Sequence, residues 1–469
     1  MAIGLAAQLL PVLERVRLCA RYALLTFAWL LLAATLVAPR ASWAQSSQSS
    51  LSSAPVLDAQ ALVASVLQQN AGIHALRAAL DAAAAQVETA GSLPDPQLSA
   101  AVAPQTLDGL DTPTGRTRGP NARFEISQAI PWPGTLGLRA DVASRQTQAA
   151  SESVAALQLQ LSAATRSLYA DWRYATRALE INSANQQLIS DLQQVAEGRY
   201  AAGLGRQQDV LQAAVQRQRL AHQAIKLKRL QRNVRSRINR LLTRPPDAPI
   251  GTPSALPEPS PIPAYDILRR RAIVVHPVLR RIERQIDADQ DRTALAHKAF
   301  YPDLKVFAGY NSLWDATEKR WVVGVGVSLP WDRSKYHAGV DQAQAKVRQS
   351  QFELADRRAE LLSQLDQAYA GVEEARHSIA LYEQQLAPLA QASLSAARIA
   401  YGAGDGSFLE VISAEEKKLD VDLNLERARA DYFSARAELA RWSGGELAAA
   451  PDYSDLNLDV FFQRAISHE

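Results

Sequence analysis

The chain has 469 residues but only one cysteine and one methionine, and aromatic residues make up just 6% of it. A single cysteine excludes an internal disulfide framework and any Cys-rich metal cluster. There is no His-Glu-x-x-His, no Gly-x-Ser-x-Gly and no phosphate-binding loop, and the seven histidines are scattered without ligand spacing. These absences leave an enzyme or a tight metal centre without support, and no cofactor is expected. Charge of one sign is also scarce: 51 basic residues face 48 acidic ones, a formal +3. What is present is 47% apolar and 21% charged, too apolar for wholesale disorder. Ala and Leu dominate, which leans toward helix.

Even the +3 is local. Residues 1–44 hold Arg15, Arg17, Arg21 and Arg40 against Glu14 alone, then an almost wholly apolar run over 22–38, then Ser42-Trp43-Ala44. A positive start, an apolar middle and a small-residue cleavage site are the layout of a secretory signal peptide, cut before Gln45. A retained membrane helix is the alternative, but about 17 apolar residues is the short limit for spanning. Cys19 precedes the apolar run rather than marking its end, so lipidation is not expected. Removing the leader takes away the only Cys and Met and leaves 47 residues of each sign.

The remainder repeats itself. Ile130-Pro131-Trp132 returns as Leu329-Pro330-Trp331, and Tyr200-Ala-Ala-Gly203-Leu204-Gly205 returns as Tyr401-Gly402-Ala-Gly404-Asp-Gly406. Asp209-Val210-Leu211 then matches Glu410-Val411-Ile412, and Pro96-Gln97-Leu98 matches Pro302-Asp303-Leu304. Landmarks in one order at an offset of about 200 residues indicate duplication. After a flexible Ser-rich stretch at 45–58, the copies cover 59–242 and 264–443, and a tail covers 444–469. Between the copies, residues 243–263 contain eight prolines, which predicts an extended, semi-rigid connector.

Each copy reads as helix, two strands, a very long helix and a return helix. The opening helices are expected over 59–90 and 264–298. Strands are expected at 97–103, 123–130, 303–311 and 320–329. In the last of these, Trp321, Val323, Val325, Val327 and Leu329 alternate with mostly small residues. Long helices are expected at 135–200 and 336–401, with return helices at 206–242 and 407–443. Val340, Val347, Leu354 and Leu361 recur by sevens, as do Leu365, Val372, Ile379 and Leu386, with one four-residue step between the series. This is a coiled-coil seam with a stutter, and Leu220, Leu227, Val234 and Leu241 continue the theme. A helix over 135–200 would be about 100 Å long, so an elongated protein is expected.

Strands of 8–10 residues with one apolar face suit a tilted membrane strand, but four cannot close a barrel and lipid tolerates no open edge. Either copies of the chain complete a barrel, or the strands form a small soluble sheet on a helical bundle. Export and duplication favour the first. Trp132 and Trp331, at the strand-to-helix junctions, fit an interfacial aromatic girdle or ordinary burial equally well.

The order of helix, Ser92-Leu93-Pro94-Asp95-Pro96-Gln97-Leu98, strand pair, Pro131-Trp132-Pro133-Gly134, long helix and Tyr-x-x-Gly tip, largely duplicated, resembles the TolC family of outer-membrane efflux ducts. The Leu-Pro-Asp-Pro and Pro-Trp-Pro-Gly segments look most similar to its heavy-metal, cobalt–zinc–cadmium branch. The resemblance implies a mainly α fold with a small membrane β part: a homotrimer forming a 12-stranded barrel in outer-membrane lipid, continued by a periplasmic α-helical barrel. It implies docking on a periplasmic adaptor and an inner-membrane pump, of the resistance-nodulation-division type. Drug efflux or type I secretion through the same fold, or a periplasmic coiled-coil adaptor, are the competing functions. An adaptor would show one hairpin flanked by β-rich domains, not two.

By the same resemblance, the turns at Gly203, Leu204 and Gly205 and at Gly402, Gly404 and Gly406 form the periplasmic mouth and meet the adaptor. Glu410 would be the aperture carboxylate, and a second family acid falls on Ser413, which makes the constriction less negative. Asp209 would bond Tyr401, whereas the family's arginine partner falls on Gly406. First-turn helix stabilisation is the plainer role for either acid. Pro388, opposite Gln187 of the first copy, is expected to kink its helix. The ten basic residues between Arg217 and Arg244, with no acidic one, read as a solvated outer face or a partner surface; nucleic acid is not an expected partner for an exported chain.

Overall fold

The computed structural model describes residues 56–103, 121–312 and 320–447. The expected leader, most of the Ser-rich stretch, much of the two strand-connecting loops and nearly all of the C-terminal tail lie outside these residues.

A two-residue strand β1 (Val56–Leu57) leads into α1 (Ala59–Gln69) and α2 (Ala71–Gly91). The sequence predicts one helix here, and the structure has two. Asn70 ends α1 in extended geometry and its side chain caps α2, accepting from the Gly72 and Ile73 N–H groups. An Asn side chain that offers the backbone an alternative to the helical ladder breaks the run. The second copy breaks in the same place, between α5 (Tyr265–Val275) and α6 (Pro277–Lys298), with His276 as cap. There Pro277 sets the first position of the new helix.

Strands β2 (Gln97–Ala103) and β3 (Asn121–Ile130) precede α3 (Thr135–Ala201) and α4 (Gln207–Leu241). The proline-rich connector holds no helix; it carries β4 (Thr252–Pro253), which pairs in parallel with β1. Tyr169 and Trp172 of α3 bind β1 and the connector, the former donating to a carbonyl of Leu57 (2.9 Å) or Ser254 (3.2 Å), the latter to the Gly251 carbonyl at 3.1 Å. The second copy continues with β5 (Asp303–Asn311), β6 (Trp321–Ser328), α7 (Arg333–Leu381), α8 (Ala387–Ala403) and α9 (Phe408–Trp442).

The expected continuous helix over 336–401 is interrupted. Residues Tyr382–Leu386 form a π-turn, in which the Ala387 N–H reaches the Tyr382 carbonyl five residues back. Pro388 lies in the first turn of α8 and has no N–H to sustain the regular ladder. The wider turn absorbs that loss. The first copy, with Gln187 at the matching place, keeps one unbroken helix of 67 residues.

The heptad residues are where the helices meet. Leu220, Leu227, Val234 and Leu241 are all buried, as are Leu361, Leu365, Val372 and Ile379. Among the long helices, α4 packs on α3, α3 on α9, and α9 on α7 and α8. The four strands form one antiparallel sheet in the order β2-β3-β5-β6, with β2 and β6 as its edges. Register places Leu98, Ile126, Ala308 and Val323 on one face, beside the row Ala100, Phe124, Tyr310 and Trp321.

Candidate functional site

The apolar face of this sheet is uncovered. Leu98 is 77% exposed, Trp321 67%, Val323 85% and Val325 64%, where a water-soluble domain would bury such a row. The opposite face is polar and self-satisfied: Glu125 pairs with Arg123 at 2.8 Å and lies 3.7 Å from Lys305. Phe307 covers Gly324, where a side chain would collide with its ring. One face thus suits hydrocarbon and the other water. No described helix is long and apolar enough to cross a membrane.

The two junction tryptophans differ. Trp132 stacks on Tyr301 with ring centroids 5.0 Å apart, and its backbone N–H donates to the Asp303 carboxylate at 3.0 Å. Trp331 is 90% exposed.

At the far end, the two tip turns share one geometry. The Gly203 N–H donates to the Tyr200 carbonyl and the Leu204 N–H to that of Arg199; Gly404 and Asp405 repeat this with Tyr401 and Ala400. Gly203 and Gly404 sit at φ +75° and +89°, the left-handed region that closes a helix end. Gly205 and Gly406 are needed for a different reason, since a Cβ on either would approach the backbone of the preceding helix to about 3.1 Å. Gly402, grouped with the turn by sequence, lies inside α8. Leu204 projects outward.

The expected gate residues are partly brought together. Asp209, in the first turn of α4, lies near enough to Tyr401 to push its hydroxyl above the ordinary range, an effect second to burial. The Tyr401 hydroxyl nevertheless finds no hydrogen-bond partner among the described residues, so the expected Asp209–Tyr401 bond is not made. Tyr401 is instead contacted by Arg199, a residue the sequence reading missed. The Arg199 guanidinium donates to the Tyr401 carbonyl at 3.0 Å and lies over the Tyr401 ring, 4.8 Å from its centroid. This ties the end of α3 to the end of α8, and Phe408 packs edge-on to the same ring. The sequence signal was available: Arg199 precedes the tip tyrosine of the first copy, where the second has Ala400.

Glu410 is exposed and engaged in a capping box: its carboxylate accepts from the Ser407 N–H at 3.2 Å while the Ser407 hydroxyl accepts from its N–H. That is the plainer of the two roles expected of it, and an exposed capping carboxylate still presents charge. Ser413 lies one turn further along α9, half-buried. A second missed pair lies above it, where Glu415, fully buried, accepts from Arg398 at 3.3 Å. Burial raises the Glu415 carboxyl pKa and Arg398 pulls it back.

The chain is similar to known proteins in sequence and in fold. Residues 268–445 match the family described as outer membrane efflux protein. That family consists of channels, not enzymes. The chain is 23% identical over 278 residues to the alkaline protease secretion protein AprF of Pseudomonas aeruginosa, a match covering 57% of each chain. Among solved structures, the outer-membrane channel OprN is similar at TM-score 0.71 and 20% identity, over 83% of this chain and 90% of that one. CusC, described as undergoing conformational changes on folding and transmembrane channel formation, is similar at TM-score 0.71 and 18% identity, over 83% and 93%. At such identities the structural likeness is one of fold.

Proposed function

We propose that this chain is the exit duct of a tripartite efflux system in a bacterial outer membrane, exported by a cleaved leader and passing substrate passively from periplasm to exterior. The observation that carries this reading is the sheet: one apolar, exposed face and two unpaired edges. In lipid those edges must be closed by other copies, and three copies of four strands give the 12-stranded barrel that the TolC resemblance implies. The long helices then form the periplasmic tunnel. The tip turns around Gly203–Gly205 and Gly404–Gly406 meet the adaptor, which in turn engages an inner-membrane pump.

The closed state is held by Arg199 on Tyr401, with Asp209 contributing charge nearby. Glu410, repeated by symmetry, supplies a ring of carboxylates that favours cations; with Ser413 in place of a second acid the ring is weaker. Heavy-metal cations are the proposed cargo on the strength of the Leu93-Pro94-Asp95-Pro96 and Pro131-Trp132-Pro133-Gly134 segments. The likeness to a protease secretion protein supports a second reading, a secretion duct.

Two measurements test the assignment. The full-length protein should fractionate with the outer membrane and give discrete conductance in planar bilayers. Recovery as a soluble periplasmic monomer would overturn the duct. Unchanged metal tolerance in a deletion strain would remove the metal cargo while leaving the duct standing.

A further inference from the structure

Where the strands feed the long helices, the chain encloses a cavity of about 240 Å³. Its wall includes Thr135 and Arg139 of α3, Lys298 at the end of α6, Tyr301, Asp303 of β5 and Ser328 of β6. Asp303 and Ser328 are register partners, and the next pair, Leu304 with Val327, belongs to the apolar face. Successive residues of a strand point to opposite faces, so the cavity lies on the polar side of the sheet.

Two cations line this cavity without a counter-charge. Neither Arg139 nor Lys298 forms an ion pair among the described residues. The Lys298 amine lies 5.7 Å from the centre of the Tyr301 ring, and a Cβ on Gly134 would stand 3.5 Å from it. The acid in the wall, Asp303, is already engaged by the Trp132 backbone N–H at 3.0 Å. Both cations sit by the first turns of α3, whose N-terminal end is itself partly positive. An isolated chain therefore gains nothing from having them there.

The positive balance is local to the cavity. In the segments that meet at this junction, 92–97, 131–141, 295–303 and 328–337, the other charged residues are Asp95, Asp141, Asp332, Arg333 and Lys335, with His297 and His337. All of these are exposed and none is in the wall. Asp332 is engaged as the cap of α7, accepting from the Ser334 and Lys335 N–H groups. On the polar face of the sheet, Glu125 is held between Arg123 and Lys305.

Taking the chain as a duct subunit, the polar face lines the water-filled interior of the barrel. We infer that this cavity binds the carboxylate or phosphate group of an organic anion on its way through the duct. Arg139 offers a planar, two-pronged contact to such a group and Lys298 a point charge; Tyr301 and Ser328 bring hydroxyl donors to the same wall. Pockets that enclose a drug-sized molecule run to about 300–1,000 Å³. At about 240 Å³ this one takes an anionic group rather than a whole cargo molecule. A metal cation gains nothing there, so the duct discriminates at this level in the opposite sense to the carboxylate ring proposed at Glu410.

Planar-bilayer recordings of the full-length protein test the site, with inorganic phosphate in the bath as the probe. Phosphate should lower the single-channel current of the wild type in a saturable way. Arg139→Gln and Lys298→Gln should each lose part of this block and together abolish it. In the double variant the cation-to-anion permeability ratio, read from the reversal potential in a salt gradient, should rise severalfold. Arg139→Lys with Lys298→Arg keeps both charges and should keep most of the block; its loss there too would mark the effect as structural and overturn the site. Equal block in wild type and the double Gln variant, or block in neither, would overturn the site and leave the duct standing. Bilayers with and without phosphatidylglycerol separate a soluble anion from a lipid headgroup. Indifference to bath phosphate, with a permeability ratio that follows the phosphatidylglycerol content, would assign the cavity to lipid and overturn the inference. Absence of channels from the wild type would overturn the duct and this site with it.

Discussion

At the scale of single residues, two buried groups carry measurable consequences. His276 stacks on Trp442, and its pKa is lowered to about 4 by burial first and by Arg441 second. As pH falls, the unfolded chain protonates near its ordinary value of about 6.5 while the folded one resists. Stability is therefore full above that value and lost progressively toward pH 4, by about 3 kcal/mol at most. His276→Asn, which adopts the cap that Asn70 provides in the first copy, should flatten this decline in thermal melts between pH 7 and 4. At the tip, the unbonded Tyr401 hydroxyl contributes nothing that Tyr401→Phe would remove, so that variant should keep wild-type stability and conductance. Arg199→Ala loses a charged hydrogen bond and a cation–π contact worth about 2–3 kcal/mol together, and single-channel recordings should show a higher resting conductance. The reverse ranking would restore the Asp209–Tyr401 latch. Sequence alone exposed Tyr401 and Asp209 through the repeat, but not Arg199, because the contact joins the ends of two helices 202 residues apart.

At the scale of elements, the duplicated halves differ in one long helix. Heptad spacing makes both long helices legible, and the four-residue step between Leu361 and Leu365 lies within regular α-helix. The break comes beyond it, at Tyr382–Leu386. A proline in the sequence announces a disturbance; whether it becomes a kink, a stop or a π-turn depends on what α9 offers the widened turn, here Arg429 reaching Glu383 at 2.8 Å. We expect Pro388→Ala to let the ladder close, lower the open probability of the channel and reduce pump-dependent resistance. Unchanged recordings and resistance would show that the π-turn is passive. The opening helices teach the same lesson, since Asn70 and His276 look unremarkable inside helical patterns, yet each caps a new helix.

At the scale of the molecule, the sheet decides the setting. Val323 lies near the middle of β6 on the apolar face, where a lysine facing hydrocarbon costs about 2–4 kcal/mol. Val323→Lys should sharply lower outer-membrane assembly, measured as heat-modifiable oligomer in membrane fractions. Ser99→Lys, on the polar face beside Glu125, should assemble normally. Equal tolerance of both would mean that the sheet does not face lipid.

Local pattern determined much of this protein: alternation marked strands, seven-residue recurrence marked the seams, the repeated Tyr-x-x-Gly marked the tips, and proline density marked the connector. Each is a short-range property, fixed by side-chain direction within a few residues. Tertiary structure alone decided which groups meet across 60 to 280 residues: Arg199 with Tyr401, Asp289 with Ser350, Arg166 with Glu446. It also decided which helix faces are left uncovered, because that depends on how all of the helices pack.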